Sequence, residues 1–173
     1  MAATAQVTHV PVEVYLRSSF EPDAEYVNGV IEERPMGEND HSAWQNAIQL
    51  WFARFATEWE IRIRPEFRVQ VTPENFRVPD VSILDRNLPV ERFATHPPIA
   101  VFEVLSPEDT LIRMMTKLGD YERMGIQNIL ILDPNGKHFR FIKGALEPLP
   151  AEPFDLPGSR CRFDLAEIEK LLD

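Results

Sequence analysis

This sequence predicts an α/β fold, strands and helices gathered into one three-layer unit, and three stretches carry the prediction. Trp44, Ala47, Ile48, Trp51, Phe52 and Phe55 recur at three- and four-residue spacing, the single buried stripe of a helix. From Ile61 the period changes to two. Ile61, Ile63, Pro65, Phe67, Val69 and Val71 alternate with Arg62, Arg64, Glu66, Arg68 and Gln70, as in a half-exposed strand. Ile99 to Leu105 is a nearly continuous apolar run, the pattern of a central strand covered on both faces.

The remaining elements follow in order. Residues 1–9 are small and polar and read as a flexible N-terminus. Val10 to Arg17 reads as a short helix or turn. Asp23 to Glu33 reads as a hairpin about Asn28-Gly29, a pair that tolerates positive φ. Pro35 to Asn39 is a loop, and Asp40 is the expected N-cap of the striped helix, which should end near Glu58. Thr72-Pro73-Glu74-Asn75 makes a turn before a strand over Val78 to Leu84. After the central strand, Ser106-Pro107 opens a helix that stops at Gly125. Asn128 to Leu132 is a buried strand, Asp133 to Gly136 a tight turn, and Lys137 to Lys143 an antiparallel edge. A proline-rich connection leads to a short helix from about Asp164.

At 173 residues the length suits one domain spanning 1–173. A hydrophobic fraction of 44% is enough to build a core without staples, and the lone Cys161 has no partner for a bridge. There is no secretory pattern and no apolar run approaching the ~20 residues of a membrane span, so the expected location is the cytoplasm, with no membrane partner. The net charge of −10 argues against a broadly basic DNA-binding face. The acidic excess lies towards the two ends, however. The middle carries Arg62, Arg64, Arg68, Arg77, Arg86 and Arg92, read either as phosphate contacts or as a solvated sheet edge.

Two carboxylates stand where apolar residues are expected. Glu103 lies inside Val101-Phe102-Glu103-Val104-Leu105, and Asp80 interrupts Val78-Pro79-Asp80-Val81. A buried carboxylate must be neutralised, hydrogen-bonded or metal-bound. If the strands are neighbours, both side chains project from one end of the sheet. Two carboxylates and a backbone carbonyl suffice for a hard divalent cation that keeps its waters. Such an ion serves phosphodiester hydrolysis, and a nearby lysine adds positive charge at the phosphate.

The ordered set of Glu25-Tyr26-Val27-Asn28-Gly29, His41, Pro79-Asp80, Glu103-Val104-Leu105-Ser106-Pro107, Lys117, Tyr121, Gly125-Ile126 and Asp133-Pro134 resembles the Uma-type restriction endonuclease family of the PD-(D/E)XK superfamily. The resemblance implies a restriction-endonuclease-like core, a central mixed β-sheet flanked by helices. It implies Asp80 and Glu103 as metal ligands for Mg2+ or Mn2+, and DNA as substrate. The superfamily's lysine would stand at position 105, which is Leu105 here; the role moves to Lys117 in the following helix, and Glu25 completes the site. Arg113 stands where the family often has an aspartate, one turn before Lys117. Nucleases of this fold often pair, so a homodimer is expected, with the aromatic helix as candidate surface.

Each residue has a blander reading beside this one. Asp80 caps a loop; Glu103 is a core carboxylate paired to an arginine; Lys117 is a solvated helix lysine; Glu25 pairs with a neighbouring arginine. His41 reads as a helix-end residue outside the site. His9, His96 and His138 lack zinc-like spacing, and Cys161 lacks a partner base. Three functions stay open: a metal-dependent DNA endonuclease, a nuclease fold kept as a binding or assembly module, and a metal-assisted hydrolase of a small phosphorylated substrate.

Overall fold

The computed structural model describes residues 8–21, 23–34 and 38–172. The expected flexible N-terminus, apart from Thr8 and His9, and residues 35–37 of the expected loop lie outside these. The chain opens with helix α1 (Val12–Arg17) and a hairpin of β1 (Glu25–Val27) and β2 (Val30–Glu32), turned by Asn28 at φ 51° and Gly29 at φ 83°. Both angles are left-handed, which Asn-Gly adopts at little steric cost. Helix α2 (Asn39–Arg54) starts one residue before Asp40, with Glu38 at the cap position and no side-chain capping bond. Asp40 therefore acts as a first-turn negative charge against the helix dipole. The helix ends at Arg54, short of Glu58.

The period-two stretch splits in two. β3 (Ile61–Pro65) and β4 (Val69–Thr72) lie in different sheets, separated by Glu66 at φ 46°. β5 (Asn75–Arg77) returns antiparallel to β4 through the expected Thr72–Asn75 turn, whose two end residues pair, so a strand begins earlier than Val78. The chain then crosses between sheets through Val78-Pro79-Asp80 to β6 (Val81–Asp85). Pro79 has no N–H for a ladder, so pairing starts only at Val81 and Asp80 stands just before the strand.

β7 (Ala100–Val104) fills the apolar run. Helix α3 (Leu111–Met124) begins later than Ser106-Pro107 suggests. The Ser106 N–H donates to Asp109 Oδ2 at 2.8 Å, making a turn, and Thr110 becomes the cap, accepting from the Arg113 N–H at 3.3 Å. Gly125, at φ 99°, ends the helix as expected. β8 (Asn128–Leu132) and β9 (His138–Ile142) follow. The proline-rich connection contains three strands with no readable alternation, β10 (Ala145–Pro148), β11 (Phe154–Asp155) and β12 (Arg162–Phe163), before α4 (Leu165–Glu169).

The central mixed sheet has the order β10-β9-β8-β7-β6-β3, with β7 and β8 parallel and the other neighbours antiparallel. Helix α3 makes the crossover that a parallel pair requires. One face packs on α2, α4 and the β11–β12 hairpin. There Phe102 is fully buried, its ring 5.4 Å from Phe52 and 5.9 Å from Phe163. Trp51 Nε1 donates to the Arg162 carbonyl at 3.1 Å, tying that hairpin to α2. The other face packs on α3 and on β4 of the second sheet, whose order is β2-β1-β5-β4. Trp44, Trp51 and Phe52 are thus spent inside the chain, and the stripe offers no dimer surface. Among the described residues no helix is long and apolar enough to cross a membrane.

Candidate active site

β6 and β7 set two carboxylates opposite each other. The ladder pairs Val81 with Phe102 and Ser82 with Val101, so one step beyond its end Asp80 faces Glu103. The link is direct: the Val104 N–H donates to Asp80 Oδ2 at 2.7 Å. Both carboxylates are buried and line one cavity together with Glu25, Arg34, His41, Arg113 and Lys117.

Helix α3 brings the cations. Lys117 Nζ donates to Glu103 Oε2 at 2.8 Å and to the Val78 carbonyl at 3.1 Å, and lies 2.8 Å from Glu25 Oε1. Tyr121, one turn on and so on the same helix face, donates to Glu103 Oε1 at 2.6 Å. Burial pushes Glu103 up to about 7; the charges of Asp80 and Glu25 add to the rise and Lys117 opposes it. Burial also lifts the Tyr121 hydroxyl well above its ordinary value, so it donates as a neutral phenol. Burial pulls the Lys117 pKa down, but Glu103 and Glu25 hold it above the usual lysine value.

Glu25 joins this network from β1. Burial would raise it, yet Lys117, Arg77 and the Val78 N–H, the last at 3.1 Å, bring it down to about 2. Arg77, expected as either a phosphate contact or part of a solvated sheet edge, is neither, at 2% exposed. It donates to Glu25 Oε2 at 2.8 Å and to Asp120 Oδ2 at 2.7 Å. Its place in β5 behind Glu25 leaves it no route to solvent. Arg68 is also spent, on Asp23 and over the Tyr15 ring, and Arg92 donates to the Leu16 carbonyl. Arg62 donates to the carbonyls of Leu88 and Arg86, at 2.9 and 2.7 Å. Among the described residues Arg62, Arg64 and Arg86 have no acidic partner, so the positive charge left uncompensated in this segment gathers along the free edge of β3.

Asp80 has its own escort. Arg34 donates to Oδ1, and His41 Nε2 lies 3.2 Å from Oδ2. Burial would raise Asp80, but the His41 hydrogen bond and the Arg34 charge hold it below the usual range; that hydrogen bond in turn raises His41. Gln45 Nε2, one turn after His41, donates to the Asp80 carbonyl at 2.9 Å. His41, expected to lie outside the site, thus joins it, as do Arg34 and Gln45, which no motif names. The i, i+4 pair of polar residues on α2 was a legible signal for the first and third; nothing in the pattern around Arg34 marks it.

The four proposed site residues Asp80, Glu103, Lys117 and Glu25 therefore meet on one cavity. Among the described residues no three His, Cys, Asp or Glu side chains converge to cage an ion. Two carboxylates on one cavity are the donor type that suits a hard cation such as Mg2+, which rests on one or two carboxylates and keeps several waters, although their oxygens here face Arg34, His41, the Val104 N–H, Lys117 and Tyr121. Cys161 is buried, and burial raises its thiol, which disfavours the reactive thiolate.

Residues 12–152 match the Uma2 family, described as "Putative restriction endonuclease". The chain belongs to this family. Membership spans every element from α1 to β10, so the cavity lies wholly within the Uma2 match. A crystal structure described as "a putative nuclease belonging to DUF820 from Anabaena variabilis ATCC 29413" has the same fold. It superposes with a TM-score of 0.76 and 20% identity over 94% of this chain and 98% of that one. A weaker likeness, TM-score 0.42 at 17% identity, covers 79% of this chain and 12% of a chain in a "DrdV-DNA complex". Among curated proteins none matches.

Proposed function

We propose that this Uma2-family chain is a divalent-metal-dependent DNA endonuclease that hydrolyses phosphodiester bonds. The observation that carries the reading is the register that sets Asp80 opposite Glu103, with Lys117 held 2.8 Å from Glu103. Asp80 and Glu103 would hold Mg2+ or Mn2+, which when bound polarises the phosphoryl oxygen and lowers the pKa of a water. Tyr121 and Lys117 orient the Glu103 carboxylate from two sides. Lys117 keeps a full positive charge in a buried setting, where it offsets the charge that builds on the phosphoryl group. Glu25 fixes Lys117 from behind, and Arg77 fixes Glu25, so the ammonium is positioned before substrate arrives. Lys117 thereby serves in place of the lysine absent at Leu105. Arg64 and Arg86, on the free sheet edge, supply phosphate contacts despite the net charge of −10. The proposal includes a cytoplasmic homodimer cutting both strands, which sedimentation of the purified protein tests.

The experiment is cleavage of supercoiled plasmid in Mg2+ or Mn2+ by wild type, Asp80→Ala and Glu103→Ala, with folding followed by circular dichroism. Cleavage that needs the metal and disappears in both folded variants supports the proposal. Calorimetric metal binding with no cleavage of varied DNA overturns it. One observation favours a second reading, a binding module without catalysis: Arg34, His41 and the Val104 N–H already occupy Asp80. That reading requires Mg2+ and Mn2+ to leave calorimetry silent.

A further inference from the structure

The contact between Arg34 and Asp80 is costly where it stands. Both side chains are nearly closed to solvent, 9% and 3% exposed, so the pair is no surface decoration. The guanidinium donates through Nη2 to Asp80 Oδ1, on a carboxylate whose other oxygen is already taken by the Val104 N–H and His41. Its second arm is less well used: among the described residues the buried Nη1 makes no hydrogen bond, and its ion-pair contact with the half-exposed Glu66 carboxylate is long, at 3.4 Å. Buried donors left unsatisfied cost free energy, and a guanidinium presents its donors as a planar fork suited to phosphate. Arg113 and Lys117 line the same cavity, so three cations surround the space beside Asp80.

From this arrangement we infer that Arg34 is a substrate-phosphate ligand which, until substrate arrives, occupies the place of the metal ion on Asp80. The inference rests on the metal-dependent phosphodiester reading above and adds an order to it. A guanidinium and a divalent cation on one carboxylate oxygen compete for its lone pairs and repel each other, so each weakens the binding of the other. Arg34 sits beyond the end of β2, outside any ladder, so moving its side chain breaks no strand pairing. A phosphate in the cavity draws the fork off Asp80 and satisfies Nη1. Oδ1 is then open to the ion. By linkage the two ligands strengthen each other: the phosphate raises metal affinity, and the metal raises phosphate affinity. The metal alone binds weakly, since it must displace a resident cation.

The test measures two affinities that move in opposite directions. Mn2+ alone is titrated calorimetrically into wild type, Arg34→Ala, Arg34→Lys and Asp80→Asn, each checked for fold by circular dichroism. Arg34→Ala is expected to bind Mn2+ about tenfold more tightly or better, equivalent to ~1.4 kcal/mol. Arg34→Lys, which keeps the charge, should stay nearer wild type, and Asp80→Asn should lose binding. In EDTA, a fluorescein-labelled DNA duplex should bind Arg34→Ala several-fold more weakly by anisotropy. A merely structural role for Arg34 would weaken both affinities. If wild type binds Mn2+ and Arg34→Ala binds it no better, the inference falls while the nuclease reading stands. Tighter Mn2+ binding with unchanged duplex affinity overturns the phosphate half. If no protein in the series binds Mn2+, the metal-dependent reading falls as well.

Discussion

Replacing Lys117 with methionine probes the site through stability, independently of catalysis. The ammonium is buried against Glu103 and Glu25, both at 2.8 Å. Removing one partner of a buried pair strands the other, typically at ~3–5 kcal/mol. The two carboxylates would not suffer equally. Glu25 keeps Arg77 and the Val78 N–H, whereas among the described residues Glu103 keeps only the Tyr121 hydroxyl. The loss therefore falls on Glu103, and the low end of the range, about 3 kcal/mol, is appropriate. For a chain of this size each kcal/mol moves Tm by roughly 2–4 °C, so Lys117→Met should melt about 6–12 °C below wild type in metal-free buffer at about pH 9, where Glu103 is ionised in the folded wild type. Adding Glu103→Gln removes the stranded charge and should recover most of that loss, because the amide needs no counterion. Scanning calorimetry of the two single variants and the double variant is the assay. A single variant that melts within about 1 °C of wild type refutes the buried network. A double variant no better than Lys117→Met places the cost elsewhere than Glu103.

Three further outcomes follow. With Glu103 raised to about 7 from an ordinary 4.5, its folded form favours the proton. Its stabilising contribution is complete below the ordinary value and lost as pH climbs through about 7, so metal-free wild type should lose urea resistance between about pH 5 and about pH 8. Glu103→Gln should flatten that loss, and an equally steep one would point to other groups. Arg77→Met takes one cation from Glu25, which keeps Lys117 and the Val78 N–H, and one from Asp120, which keeps the exposed Arg123, and should cost ~3–5 kcal/mol, read as a lowered urea midpoint; near-normal unfolding would contradict its burial. Arg64→Glu with Arg86→Glu should leave Tm nearly unchanged but weaken DNA binding. Each lost phosphate contact should make the salt dependence shallower by about 0.9 in log–log slope; an unchanged slope would take the β3 edge out of the DNA path.

Much of the fold was readable because it rests on local periodicity. The α2 stripe, the apolar run of β7 and the Gly125 stop each record one face or one backbone angle, and a single sequence states these directly. Errors cluster where pairing decides. Ile61 to Val71 alternates without interruption, yet the chain leaves one sheet at Pro65 and joins another at Val69, and alternation has no mark for a change of partner. β10 to β12 were missed because strands of two to four residues are made by their neighbours. At the site, Asp80 and Glu103 stood out as charge in apolar context, and Tyr121 was within reach from its helical spacing to Lys117. Arg34 was not, since a loop residue has no period to betray it.

The sequence by itself determined the long helices, the main extended runs, which faces are apolar and which acids are out of place, since each depends on residues within a turn or two. Tertiary structure alone decided that the β6–β7 register sets Asp80 across from Glu103. It also decided that Arg77 is a buried counterion rather than a phosphate contact, and that Arg34 sits on the carboxylate a metal ion would need. Those are relations between charges distant in the chain. Their energies depend on separation and burial, and both come into being only when the sheets close on one another.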